Sequence, residues 1–113
     1  LDYTIIAVDF DGTLVADCFP EIGEPLFLAM EAVRKFKENG YKLILWTCRE
    51  DLPERKYLTE AIEFCRSHGI EFDAVNENTP DSPFNRLGKS RKVYADFYID
   101  DKSLQPIWEA YYK

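Results

Sequence analysis

Two carboxylates, Asp9 and Asp11, stand on either side of Phe10 at the end of an apolar run, and Gly12 and Thr13 follow at once in "TIIAVDFDGTLV". A carboxylate taken out of water without a partner costs several kcal/mol, roughly, or takes up a proton. Residues two apart on an extended chain point to the same side, so both acids face one small volume. Taken alone, Asp11-Gly12 is equally an ordinary turn. A second acid pair, Asp100 and Asp101, ends the run "VYADFYIDDK". Thr47 ends the apolar "YKLILWT", Lys92 immediately precedes the last run, and Lys89 is close by. Four carboxylates brought together without a cation repel one another strongly. A hard divalent ion resolves that repulsion, and a ligand set of oxygens without histidine or thiolate selects Mg²⁺ over zinc.

The elements that must position these groups alternate. Strand patterns cover residues 3–9, 41–47, 70–75 and 93–100. Between the first two, Pro25 marks a helix start and Gly40 its stop, with Leu26, Ala29, Met30, Val33 and Phe36 on one core-facing side. A second helix is expected over residues 53–68, closed by Gly69, with the lone histidine, His68, in its last turn. A short helix follows in "SLQPIWEAYYK", where Trp108, Tyr111 and Tyr112 serve packing or a partner surface. Such alternation predicts one α/β domain over residues 1–113, with a parallel sheet and right-handed crossovers. Ligands of such sheets bind beyond the carboxyl ends of the strands, where the acids lie. The irregular stretches are residues 15–24 and 76–91, the second long enough to suggest function or mobility.

In order along the chain, these residues resemble the motifs of the haloacid dehalogenase superfamily. "DFDGTL" is similar to its first motif, Thr47 after "KLILW" to its second, Lys92 to its third, and Asp100-Asp101 to its fourth. The resemblance implies a three-layer Rossmann-like sheet of order 3-2-1-4 and phosphoryl transfer through an aspartyl phosphate. Asp9 is then the nucleophile. Asp11 protonates the leaving oxygen and later takes a proton from the attacking water. Asp9, Asp100, Asp101 and, through its backbone carbonyl, Asp11 make up the Mg²⁺ site. Thr47 and Lys92 bind the phosphate oxygens, with Lys89 the competing candidate for the third-motif lysine. Gly12 lets the backbone turn closely around the phosphate. Arg49, in "TCRE", offers a planar fork to phosphate or forms a surface ion pair with Glu50 or Asp51. Cys48 reads as a small packing residue. Neither gap that holds a cap domain in relatives has room for one here, so the chain resembles a capless member.

The activity so implied is a Mg²⁺-dependent phosphomonoester phosphatase. A phosphotransferase or phosphomutase of the same superfamily uses the same residues. A receiver-type phospho-acceptor switch also combines acids, Mg²⁺, a hydroxyl and a lysine, but its acceptor ends a middle strand and its acid pair the first, whereas here the Asp-Gly-Thr acid pair opens the chain and the double aspartate closes it. Bulk composition agrees with a folded domain: the chain is 46% hydrophobic and 31% charged, with a net charge of −7. No basic block is present, which disfavours extended nucleic-acid binding. No apolar run is long enough to cross a bilayer, and no charged-then-apolar signal region opens the chain. Three cysteines at unrelated spacings argue against a disulfide framework and for a reducing, cytoplasmic setting. The partner expected is a phosphorylated substrate, discriminated without a cap by the loop at Arg49, residues 76–91, a second subunit, or the substrate's own bulk.

Overall fold

A computed structural model describes residues 2–88 and 90–112. Its frame is a four-stranded, all-parallel sheet of β1 (Ile5–Val8), β2 (Lys42–Leu45), β3 (Ala74–Val75) and β4 (Phe97–Ile99), in the order β3-β2-β1-β4. That is the expected order, 3-2-1-4. The third and fourth strands are shorter than their sequence patterns, because two acids interrupt them. Asp73 donates its N–H to the Leu43 carbonyl and accepts the Leu43 N–H on its carboxylate. Asp96 does the same to Ile5. Regular pairing begins only after each acid.

Helix α1 (Ala29–Glu38) and helix α2 (Tyr57–Ser67) both lie on one face of the sheet. Right-handed crossovers require this, because β1-to-β2 and β2-to-β3 step in the same direction across the sheet. Met30 and Val33 of α1 and Ala61 and Cys65 of α2 bury against Ile6, Val8, Leu43 and Leu45. Full burial of a Leu, Ile or Val side chain contributes about 1.5–3 kcal/mol. This face therefore holds most of the core. Both helices start later than Pro25 and Pro53 suggest. Pro25 bridges Val15, and the Leu26 N–H donates to the Leu14 carbonyl, so Leu26 stays outside α1 and exposed. Leu28, in the left-handed region at φ 62°, redirects the chain into α1. Before α2, Asp51 pairs across a turn with Lys56 and accepts the Thr59 N–H, capping the helix from upstream. His68 is the C-cap of α2, its ring packed 4.7 Å from that of Phe64.

The return crossing from β3 to β4 passes the opposite face, where the three-layer arrangement implied by the resemblance would place a further helical layer. Among the described residues that face carries no α-helix. Val93 and Ala95 bury against Ile5, Ala7 and Ile44. A 3-10 helix, Pro83–Arg86, leans on them through Phe84 stacked 4.6 Å from Tyr94. The tail forms one turn of helix, α3 (Trp108–Tyr111), whose Trp108 and neighbouring Tyr112 are exposed rather than packed in the core. No helix among the described residues is long and apolar enough to cross a membrane.

Candidate functional site

Register aligns the carboxyl ends of the three central strands. Val8 stands beside Leu45 on one side and Ile99 on the other, so the next residues, Asp9, Trp46 and Asp100, emerge in one row. The Asp9 N–H donates to the Ile99 carbonyl at 3.0 Å and the Trp46 N–H to the Val8 carbonyl at 2.9 Å, which extends the sheet by one step at Asp9 and at Trp46. Phe10, fully buried and edge-on to Phe64, anchors the chain between the two acids. The N–H groups of Thr13, Leu14 and Val15 all converge on the Phe10 carbonyl. This turn swings Thr13 to Asp101, whose N–H donates to the Thr13 hydroxyl at 3.2 Å. Gly12 sits in it at φ 83°, and a Cβ there would lie 2.3 Å from an Asp101 carboxylate oxygen. Close approach and positive φ together require glycine, although the space beside it holds a carboxylate rather than an open phosphate cradle.

Carboxylate oxygens of Asp9, Asp100 and Asp101 lie within 4.8 Å of one another. Burial, with the charges of Asp100, Asp101 and Asp11 adding to it, pushes Asp9 up to about 6. Asp101 is moved the other way, below the usual carboxylate range, chiefly by its 2.9 Å contact with Lys102. Thr47 faces the same space from β2. Its oxygen accepts the Arg49 N–H at 3.1 Å, which leaves the hydroxyl hydrogen free to donate outward. Asn76, left-handed at φ 53°, accepts the Thr47 N–H at 2.8 Å and so holds this loop in place.

A cavity of about 250 Å³ opens on Asp9, Asp11, Thr47, Arg49, Phe19 and Lys102, and an adjoining one of about 310 Å³ adds Trp46 and Asp100. Residues 16–24 form a short hairpin flap beside it. The Ala16 N–H donates to the Glu24 carbonyl, and Gly23 abuts the Ala16 carbonyl so closely that a Cβ would lie 2.2 Å away. The flap contributes Asp17 and Phe19 to the cavity wall.

Three expectations fail here. Lys92 does not reach this space. The Tyr98 hydroxyl donates to the Val93 carbonyl at 2.6 Å, folding residues 92–95 back over the sheet, and Lys92 Nζ rests 5.3 Å from the Tyr98 ring centre. It lines a separate cavity with Phe84, Leu87 and Tyr94. Lys89 lies outside the described residues. The cation beside the acids is Lys102, 2.9 Å from Asp101 and 3.8 Å from Asp17, and it was legible as the third letter of "DDK". Arg49 is neither a phosphate fork nor a surface pair with Glu50 or Asp51. It is buried, and its guanidinium grips both oxygens of Asp11 at 2.8 Å. That contact holds the Asp11 side chain outside the cluster formed by Asp9, Asp100 and Asp101. Cys48 is exposed on the cavity wall rather than packed, whereas burial pushes the Cys65 thiol up to about 12.

No family model and no curated protein matches the chain. A solved structure does, that of a conserved protein from Bacteroides thetaiotaomicron, with 42% identity, a TM-score of 0.77, and coverage of 98% of this chain and 88% of that one.

Proposed function

The chain belongs to the family of that conserved protein, and we propose, from its own site, that it is a Mg²⁺-dependent phosphomonoester phosphatase of the haloacid dehalogenase type, working through an aspartyl phosphate on Asp9. The observation that carries the reading is the approach of Asp9, Asp100 and Asp101 oxygens within 4.8 Å at the carboxyl end of a parallel sheet. The donors are all hard oxygens, which suits Mg²⁺. Asp9, Asp100 and Asp101 would hold the ion, which supplies charge neutralisation between an anionic nucleophile and an anionic phosphate.

The chain's own residues do the rest. Asp9 Oδ forms a bond to phosphorus as the ester P–O bond breaks, and the electron pair of that bond stays on the leaving oxygen. Asp11 gives that oxygen a proton, then takes one from the water that attacks the acyl phosphate, so the two steps restore both acids. The free Thr47 hydroxyl and the Lys102 ammonium bind phosphate oxygens as charge redistributes. Lys102 has a long flexible stem and can exchange Asp101 for phosphate. We read the loop across the second face as the reduced third layer of a Rossmann-like fold, and the flap as all that stands in place of a cap. Three free cysteines fit a reducing, cytoplasmic setting.

The test is hydrolysis of a generic aryl phosphate. Turnover is expected with Mg²⁺ and is expected to vanish in excess chelator. Undiminished turnover in chelator would remove the metal from the account, and no turnover on any phosphate ester of a metabolite panel would remove the phosphatase.

The same cluster makes a prediction about stability. Asp9 is raised in the folded state from 3.8 to about 6. A carboxyl raised on folding contributes stability that is complete below its unfolded value and lost as pH rises through its folded one. In chelator, the wild-type melting temperature should therefore fall between about pH 4 and pH 6 relative to that of Asp9→Asn. Mg²⁺ should reverse the loss at pH 7 in the wild type alone. Parallel pH curves for the two proteins would contradict the assignment of Asp9 as a charge the fold holds at a cost.

A further inference from the structure

The side chain that the phosphatase reading leaves without a task is also the most deeply buried charge among the described residues. Arg49 is 1% exposed. Its Nε and one Nη donate to the two oxygens of Asp11 at 2.8 Å each. That Nη also donates to the Glu21 carbonyl at 3.1 Å, and the other to the carbonyls of Pro20 and Tyr57 at 3.4 and 3.3 Å. The rings of Phe10 and Phe19 lie 5.2 and 5.0 Å from the guanidinium carbon. One side chain thus ties together the turn after β1, the flap and the start of α2.

A buried guanidinium must be satisfied on every nitrogen and its charge must be paired. Here its planar fork is spent on one carboxylate. Two parallel bonds fix both the position and the plane of that group, which a single contact or a lysine cannot do. Each Asp11 oxygen keeps a second lone pair beyond the one that Arg49 occupies. A proton carried there has a fixed direction, and the cavity shared with Asp9 lies beside it. We infer that Arg49 is a positioning residue for Asp11, holding it in the orientation that hands a proton to the leaving group and tying that orientation to the seating of the flap. The inference rests on the phosphatase reading.

Leaving-group chemistry tests it. A nitrophenyl phosphate expels a stable phenolate and needs little protonation, whereas an alkyl phosphate expels a basic alkoxide and needs a great deal. We expect Arg49→Lys and Arg49→Gln to lower kcat on the alkyl ester at least about tenfold more than on the aryl ester, with little change in KM, since positioned proton transfer contributes ~10²–10⁴-fold. The ratio of the two rates, taken on one sample, cancels the folded fraction. In an Asp11→Asn background the same substitutions should leave that ratio unchanged, because residues acting through one another are not additive. Equal losses on both esters, or failure of both variants to fold, would make Arg49 a staple of the fold and overturn the inference. A wild type inactive on both esters and on every ester of a metabolite panel would instead overturn the phosphatase reading on which it rests.

Discussion

Asp9→Asn is expected to abolish turnover of an aryl phosphate, by several orders of magnitude at saturating substrate, while leaving the protein folded. The amide preserves the side chain's volume and can still accept a hydrogen bond, but its oxygen is a poor nucleophile toward phosphorus. Losses of ~10⁴–10⁶ are characteristic when a covalent nucleophile is removed. The substitution also removes one of three carboxylates that meet within 4.8 Å, so the folded state is relieved of repulsion rather than strained. Loss of activity together with an unchanged or higher melting temperature in chelator separates a missing nucleophile from a damaged fold. A steady-state assay and a thermal melt on the same preparation check both. Near-normal turnover would exclude covalent chemistry on Asp9.

Substitution of the lysines should rank opposite to their order of motif resemblance. Lys102→Ala is expected to lower kcat/KM about a hundredfold, the scale seen when one preorganised donor is removed from a site where charge develops. Lys92→Ala is expected to stay within about twofold. The reasoning is positional. Lys102 is in contact with Asp101 and shares a cavity with Asp9 and Thr47, whereas Lys92 lies over the Tyr98 ring. Lys102→Arg should recover part of the loss, because the charge matters more than the shape of its head. Parallel kinetics of the three variants decide it. The reverse ranking would return the phosphate-binding role to Lys92 and require residues 92–95 to reorganise on binding substrate.

The sheet and its acids were legible because they depend on local pattern. Apolar runs that end in Asp9, Thr47 and Asp100 announce both a buried strand and its polar carboxyl end, alternation with helices announces a parallel sheet with right-handed crossovers, and the order 3-2-1-4 is what the motif resemblance implies. What escaped depended on contacts distant in sequence. Arg49 sits two residues beyond Thr47, but its partners are Asp11, Pro20, Glu21 and Tyr57, and no spacing along the chain discloses that set. Lys92 was misplaced because the pattern over residues 93–100 reads as one strand. Asp96 breaks it by capping Ile5, and the strand proper starts at Phe97. Residues 76–91 are rich in turn formers, and among the described residues of that stretch the regular element on the second face is a 3-10 turn opened by Pro83 in place of an α-helix. On the phosphatase reading, the side chains that the cavity offers for direct contact with a leaving group are chiefly Phe19 on the flap and Trp46 and Cys48 on the β2 side.

The central claim is a phosphoryl group carried on Asp9, and it can be read directly. Protein mixed with Mg²⁺ and excess aryl phosphate is quenched in acid during turnover, treated with borohydride to reduce any acyl phosphate, digested and mapped by mass spectrometry. Reduction at residue 9, dependent on substrate and on Mg²⁺ and absent from Asp9→Asn, is the predicted result. Steady turnover with residue 9 unmodified, or with the label on Asp11 or Cys48 instead, would contradict it.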